Sequence, residues 1–338
     1  MKACRKKGKV ITSEEMMEQM QKLFEERGSE ALNVARKLML EEKIECKEIK
    51  EALRYFMTEY WNDLARPTLL SLVCEAVGGD PKLTNSVAVP MILISGAMDI
   101  HDDIIDESKV KRKRPTVFGK FGKNIALLIG DTLMFKGLVL LNQSLKATPD
   151  NKRKVILETI QEMFFQLGDA EALELQFRGR LDVPSDEYLK VLEKKAADVE
   201  AHTRIGAILG GGTREEVETL GRYGRLLGML IVLRDDVMDS GDPGELRHRL
   251  QKEHLPLPLL YAIENPRTKR AVTSILSERK ITKNDIQTLI EIAKKDQEAP
   301  ELLEKIVEEI SSHLLSVTKY EKKLEAFAKL FGDVSLED

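Results

Sequence analysis

Cysteine is scarce in this chain, and what there is does not pair. Cys4, Cys46 and Cys74 are the three among 338 residues. They share no motif spacing, so they read as reduced thiols rather than as a disulfide framework or a zinc site. Aromatic residues make up 5%, with one tryptophan, Trp61. Neither sign of charge prevails: Lys+Arg number 53 and Asp+Glu 57, a net charge of −4, which argues against a general nucleic-acid-binding surface. Long hydrophobic runs are missing too. The runs VAVPMILISGAM and IALLIGDTLMF are too short or too interrupted to cross a bilayer, so no transmembrane segment is expected. The basic start MKACRKKGKV is not followed by an apolar signal core, which points to no secretion and a cytoplasmic setting. Strand signals are essentially absent.

What is there is helix. Apolar content of 42% suffices for a sizeable core. Apolar residues recur every three or four positions in EALNVARKLMLEEK, in KVILETIQEMFFQLGDAEALELQF and again from residue 300 onward. Short Gly/Pro/Asp connectors such as GGDPKLTN, GRLDVPSD and SGDPGE separate these stretches, and none resembles an interdomain linker. The expectation is a basic tail over 1–12 and one all-α domain over 13–338, built of about ten or more long helices.

Two stretches break the apolar pattern in the same way. MDIHDDIIDES carries Asp102, Asp103 and Asp106, and LIVLRDDVMDSGD carries Asp235, Asp236 and Asp239. Positions i and i+4 share a helix face, so Asp102/Asp106 and Asp235/Asp239 each form a pincer at the C-terminal end of an apolar helix. Carboxylates this close repel, and burial makes their ionisation costly. A divalent cation removes both penalties, and hard oxygen ligands of this kind suit Mg²⁺ with a phosphate-bearing substrate. One such cluster alone is equally a solvated helix end; two matched copies favour a paired metal site. A metal site beside an apolar interior suits the ionisation of an allylic diphosphate, whose charged head is bound while its tail is kept from water.

Over about residues 50–265 the chain resembles the trans-isoprenyl diphosphate synthase family. The resemblance rests on HDDIIDES, KRKRPTVFGKFG, LLIGDTLMF, YLKVLEKKAADVEAHTRIGAILGG, YGRLLGML and LRDDVMD, in the family's order. It implies the isoprenoid synthase fold with a central apolar cavity, and about three Mg²⁺ ions on the six aspartates. It implies allylic and isopentenyl diphosphates as partners, and a homodimer, with a heteromer as the other possibility. By resemblance Lys111 faces the allylic diphosphate and Arg112 the isopentenyl one. The family's Lys-Thr pair falls on Lys194 and Lys195, which makes Lys194 the expected phosphate ligand, and a further family lysine falls on Lys252.

The departures lie on the isopentenyl side. The family's Gly-Gly-Lys-Arg-x-Arg-Pro aligns with WNDLARP, residues 61–67, so Arg66 is kept but Asp63 stands where the lysine belongs. A carboxylate there repels a diphosphate. Ser95 replaces a histidine, and Val232 a glutamine. Three readings follow: an elongating synthase with a rearranged isopentenyl site, an enzyme that uses another acceptor or cyclises, and a partner subunit of an active synthase. In the family the cavity floor lies just before the first aspartate, here at Met98, Ala97 and Ile94. Small Ala97 and adaptable Met98 suggest a C15–C20 product, with C20 favoured. His101 has no second histidine at ligand spacing and reads as a core or hydrogen-bonding residue, and Asp131 as a helix-capping or structurally hydrogen-bonded one.

Overall fold

The computed structural model describes residues 13–111, 113–278, 280–295, 297–314 and 321–332. The expected tail over 1–12 and Arg112 lie outside the described residues. Helix α1 (Ser13–Leu40) is followed by α2 (Lys47–Tyr55), which runs into a π-helical turn at Phe56–Tyr60. Next come α3 (Ala65–Ala76) and α4 (Asn85–Ile105). Two-residue strands β1 (Val110–Lys111) and β2 (Arg114–Pro115) pair antiparallel in a small hairpin. Then follow α5 (Val117–Phe121), α6 (Lys123–Ser144), α7 (Asp150–Phe177), α8 (Ser185–Lys195), α9 (Ala197–Gly210) and α10 (Arg214–Gly241). The remainder is α11 (Pro243–Lys252), α12 (Leu257–Glu264), α13 (Lys269–Leu276), α14 (Lys283–Lys295), α15 (Glu298–Leu314) and α16 (Glu321–Gly332).

Local chemistry fixes the corners that matter for the site. Helix α9 ends at Gly211, whose φ of 84° is open to glycine at no steric cost. The Gly212 N–H donates to Ala207 O at 2.9 Å, closing the helix. Two residues on, Thr213 caps α10: its hydroxyl accepts from Glu216 N at 3.2 Å, and the Glu216 carboxylate accepts from Thr213 N at 2.7 Å. A cap of this kind contributes about 1 kcal/mol. Between α8 and α9 the helical course breaks at Ala196. Gly228 of α10 packs against that break, and a Cβ there would lie 2.7 Å from Ala196 Cβ. The long helix α10 therefore approaches the α8–α9 junction at backbone distance.

Two apolar clusters form the interior. One gathers Leu226, Leu227, Leu230 and Leu233 of α10 against α8, α12, α14 and α15; the other gathers Met91, Ile92, Leu93 and Ile94 of α4 against α1, α2, α6 and α9. Leu227 and Leu230 are fully buried, and each such side chain contributes about 2 kcal/mol. Helix α4 thus belongs to one cluster and α10 to the other, each with its aspartates at its C-terminal end, Asp103 and Asp236 among them buried. Helices 81–105 and 123–147 are long and apolar enough to cross a membrane, which corrects the reading of these runs as too short. The first is 72% buried within the protein and is a core helix; the second is only 33% buried. Its outer side, with Leu128 and Phe135, joins Phe165 of α7 among the exposed apolar residues.

Candidate active site

The first aspartate cluster closes α4. Asp106 caps the helix, its N–H donating to Asp102 O at 2.9 Å. Asp103 is fully buried. The β1 hairpin brings Lys111 Nζ to 2.8 Å from Asp103 Oδ1 and 3.0 Å from Asp102 Oδ2. Arg178, just past α7, donates to Asp106 Oδ1 and to Ile105 O, both at 2.9 Å. Burial pushes Asp103 up to about 7. It pushes Asp106 up to about 8, with the Asp102 charge adding to the rise. Burial acts on Asp102 as well, but Lys111 and Lys195 hold its carboxyl below the ordinary range.

The second cluster closes α10 and is differently arranged. Asp236 is buried: Oδ2 accepts from Leu257 N at 3.0 Å, and Oδ1 from Arg249 Nη1 at 2.6 Å. The same Arg249 nitrogen lies 3.3 Å from Asp239 Oδ2. Burial pushes Asp239 up to about 7. Asp235 is exposed. Among the described residues no three Asp, Glu, His or Cys side chains gather around one point. Both aspartate clusters are clasped by cations of the protein itself.

Charged side chains join the two clusters. Lys195 pairs with Glu171 at 3.1 Å and with Glu174, both on α7. Glu174 in turn lies 3.1 Å from His254 Nε2, which is 3.3 Å from Arg249. Lys195 also acts on Asp102 and Asp106, so the chain Asp236–Arg249–His254–Glu174–Lys195 runs from the second cluster to the first. Glu171, Glu174, Arg178 and Arg249 escaped the sequence reading, and Lys195 was named there only as the neighbour of Lys194. For Glu171 and Glu174 the signal was present: two acids at i and i+3 within the apolar pattern of α7, the same kind of break that marked the aspartates.

Lys194 and Lys195 face different surroundings. Lys194 pairs with Asp169 at 2.8 Å and lines a charged cavity of about 590 Å³ with Lys190, Arg222 and Arg225. Successive helical positions are about 100° apart, so at the end of α8 the neighbouring Lys195 is the one turned toward the aspartates. Lys252 reaches Glu107 Oε2 at 2.6 Å, tying the end of α11 to the loop after the first cluster.

On the isopentenyl side, Arg66 is enclosed by carboxylates. Its Nε donates to Asp198 Oδ2 at 2.6 Å and its Nη1 to Asp63 Oδ2 at 3.2 Å. Asp63 is buried, and its other oxygen accepts from the Arg66 N–H at 3.2 Å. His202 Nδ1 lies 3.3 Å from Asp198 Oδ1. Burial opposes the charge on Asp198, but Arg66 holds its carboxyl far below the usual range. Trp61 stacks on Phe56 with centroids 5.5 Å apart. Trp61 Nε1 and Ser95 Oγ are buried without a hydrogen-bond partner among the described residues. Ile94 and Ala97 are fully buried, and Met98 is half-buried. His101 Nε2 lies 3.3 Å from Asp131 Oδ1, joining two residues read separately in the sequence.

The helical fold thus ends two core helices in matched aspartate clusters, ringed by lysine and arginine. Comparison with known proteins makes this specific. The polyprenyl synthetase family model matches residues 46–293, and the chain belongs to that family. It is similar to the short chain isoprenyl diphosphate synthase of Methanothermobacter thermautotrophicus, 36% identical over 176 residues, 52% of this chain and 53% of that protein. It is also similar to the geranylgeranyl diphosphate synthase of Methanosarcina mazei, 33% identical over 209 residues, 62% of this chain and 64% of that one. The matches thus span between about half and two thirds of these relatives' length. Among solved structures, the geranylgeranyl pyrophosphate synthetase from Pyrococcus horikoshii superposes with a TM-score of 0.81 at 26% identity, covering 93% of this chain and 99% of that one. The heptaprenyl diphosphate synthase from Staphylococcus aureus shares the fold, with a TM-score of 0.76 at 22% identity and coverage of 94% and 98%.

Proposed function

We propose that this chain ionises an allylic diphosphate and joins its prenyl carbon to isopentenyl diphosphate, releasing inorganic diphosphate and making a C15–C20 isoprenyl diphosphate, with geranylgeranyl diphosphate favoured. The observation that carries the reading is the pair of aspartate clusters ending two buried apolar helices and linked through Arg249, His254, Glu174 and Lys195. The names of the relatives agree with it.

The carboxylates fit Mg²⁺. Asp103 is buried with Lys111 as its cation, and burial raises Asp103 and Asp106 toward neutral pH, so this cluster gains from a hard divalent cation. Asp102, Asp103, Asp106 and Asp235 would hold it, and when bound it supplies charge stabilisation of the leaving diphosphate. The chain's own part is positioning and electrostatics. Lys111 and Lys195, now occupied by Asp102, Asp103, Glu171 and Glu174, are placed to turn to diphosphate oxygens as charge develops there. Arg178 holds Asp106. The apolar cluster below α4 excludes water from the cation. Arg66 would meet the diphosphate of the acceptor, with Asp63 opposing it, and Arg112 would assist.

A homodimer in the cytoplasm belongs to the same reading: the exposed apolar residues of α6 and α7, Phe135 and Phe165 foremost, suit a second copy. Incubation with farnesyl diphosphate, isopentenyl diphosphate and Mg²⁺ followed by mass analysis tests the proposal. A C20 diphosphate is expected; recovery of both substrates unchanged overturns it.

A further inference from the structure

A second gathering of cations lies on the side of α8 that Lys194 faces. There α7, α8, α9 and α10 enclose the cavity of about 590 Å³. Its walls carry five cations, Lys190, Lys194, Arg204, Arg222 and Arg225. Three carboxylates oppose them, those of Glu193, Glu200 and Glu218, which leaves two positive charges in excess. Gln166 completes the lining, and no apolar side chain belongs to it among the described residues.

The inner part of the cavity is firmly held. Arg225 has a side chain only 13% exposed. Its Nε donates to the Glu200 carboxylate, and its Nη1 donates to Gln166 Oε1 at 2.8 Å and to Glu193 O at 2.5 Å. Arg204 Nε donates to the same Glu200 at 2.6 Å. One carboxylate thus serves two planar guanidinium groups, whose remaining N–H donors are fixed in direction. Glu218 meets Arg204 at 3.0 Å but is itself well exposed, as is Glu193, so solvent screens both. The rim is looser. Lys194 pairs with Asp169, and Arg222 with Glu309, and both of those carboxylates are exposed. Surface pairs of this kind contribute little and yield to a more highly charged anion. Lys190 is exposed and has no ion-pair partner among the described residues.

We propose that this cavity binds inorganic diphosphate, and that it does so without metal. Arg204 and Arg225 supply fixed donors, and Lys190, Lys194 and Arg222 close on the anion as Asp169 and Glu309 are displaced. The lining itself carries the countercharge that the aspartate clusters must take from Mg²⁺. A prenyl tail finds no apolar wall here to draw it out of water, so the ligand is the free anion and not the head of a prenyl diphosphate. The choice of diphosphate rests on the reaction proposed above, which releases it; the anion site stands apart from that reaction.

Isothermal titration calorimetry of the full chain with sodium diphosphate in excess EDTA tests this. Wild type should take up one diphosphate per chain. The double variant Lys190→Gln/Arg222→Gln should bind it at least about tenfold more weakly, with initial rates of prenyl transfer unchanged. Lys195→Ala, beside the aspartates, should leave binding within about twofold. No uptake in EDTA overturns the proposal, and so does uptake weakened by Lys195→Ala but not by the double variant. Sulfate bound as tightly as diphosphate overturns the choice of ligand. Should the double variant fail to fold, Lys190→Gln alone, which breaks no ion pair, decides by binding at least about threefold more weakly. A chain that takes up diphosphate in EDTA yet elongates nothing keeps this site and loses the reaction proposed above.

Discussion

Arg66 Nε donates to Asp198 Oδ2 at 2.6 Å, across 132 positions of sequence, while Asp63 takes Nη1 of the same guanidinium at 3.2 Å. One positive charge therefore faces two buried negative ones where the acceptor's diphosphate is proposed to bind. Asp63 competes with that diphosphate for Arg66. Asp63→Asn keeps the oxygen that caps Arg66 N and removes the charge. It should lower KM for isopentenyl diphosphate about tenfold, with KM for the allylic substrate unchanged; steady-state kinetics with each substrate varied in turn checks this.

The break at Ala196 separates the roles of two adjacent lysines. Lys195 engages Glu171 and Glu174 beside the aspartates, and Lys194 engages Asp169 elsewhere. Lys195→Ala should cut kcat by about 10²-fold or more, the usual scale for losing a transition-state donor. Lys194→Ala should change kcat by less than about threefold. Initial rates of both variants decide it, and a reversed order would return the phosphate role to Lys194.

Burial holds Asp103 and Asp239 up to about 7 and Asp106 up to about 8, whereas an unfolded aspartate titrates near 3.9. Between about pH 4 and pH 8 the folded, metal-free protein binds more protons at these groups than the unfolded chain. Their contribution to stability is fully present below that window and is lost as pH rises through it. A cation that binds the deprotonated carboxylates reverses the trend, so the rise in Tm on adding Mg²⁺ should be larger at about pH 8.5 than at about pH 6. Thermal melts at the two pH values measure it.

Ala97 is fully buried on α4, about one turn below Asp102. Ala97→Phe adds a ring to the space assigned to the growing tail and should shorten the product by at least one isoprene unit. Product chain length by mass reads it out, and an unshifted product would remove Ala97 from the floor.

Phe135 and Phe165 are 67% and 72% exposed. Replacing both with Glu should shift the sedimentation coefficient from that of a dimer to that of a monomer. An unchanged value would place the partner surface elsewhere.

Much of this was legible in the sequence, for physical reasons that differ by residue. Aspartates in an apolar helix are conspicuous because burial makes them costly, so both clusters could be found, and Lys111 followed from its closeness to the first. Glu171 and Glu174 gave the same signal more faintly, diluted by the acidic polar face of α7. The choice between Lys194 and Lys195 was not legible, because it turns on where α8 stops, and one residue swings a side chain by about 100°. Nor were the partners of Arg66 and Arg249: Asp198 and Asp236 reach them only through the packing of α3 on α9 and of α10 on α11.

Coupling between diphosphate release and chain growth tests the central claim most directly. With an allylic diphosphate, isopentenyl diphosphate and Mg²⁺, inorganic diphosphate and elongated product should appear in equal amounts, and omitting isopentenyl diphosphate should suppress both. Diphosphate released without isopentenyl diphosphate, or none released in its presence, would contradict the account.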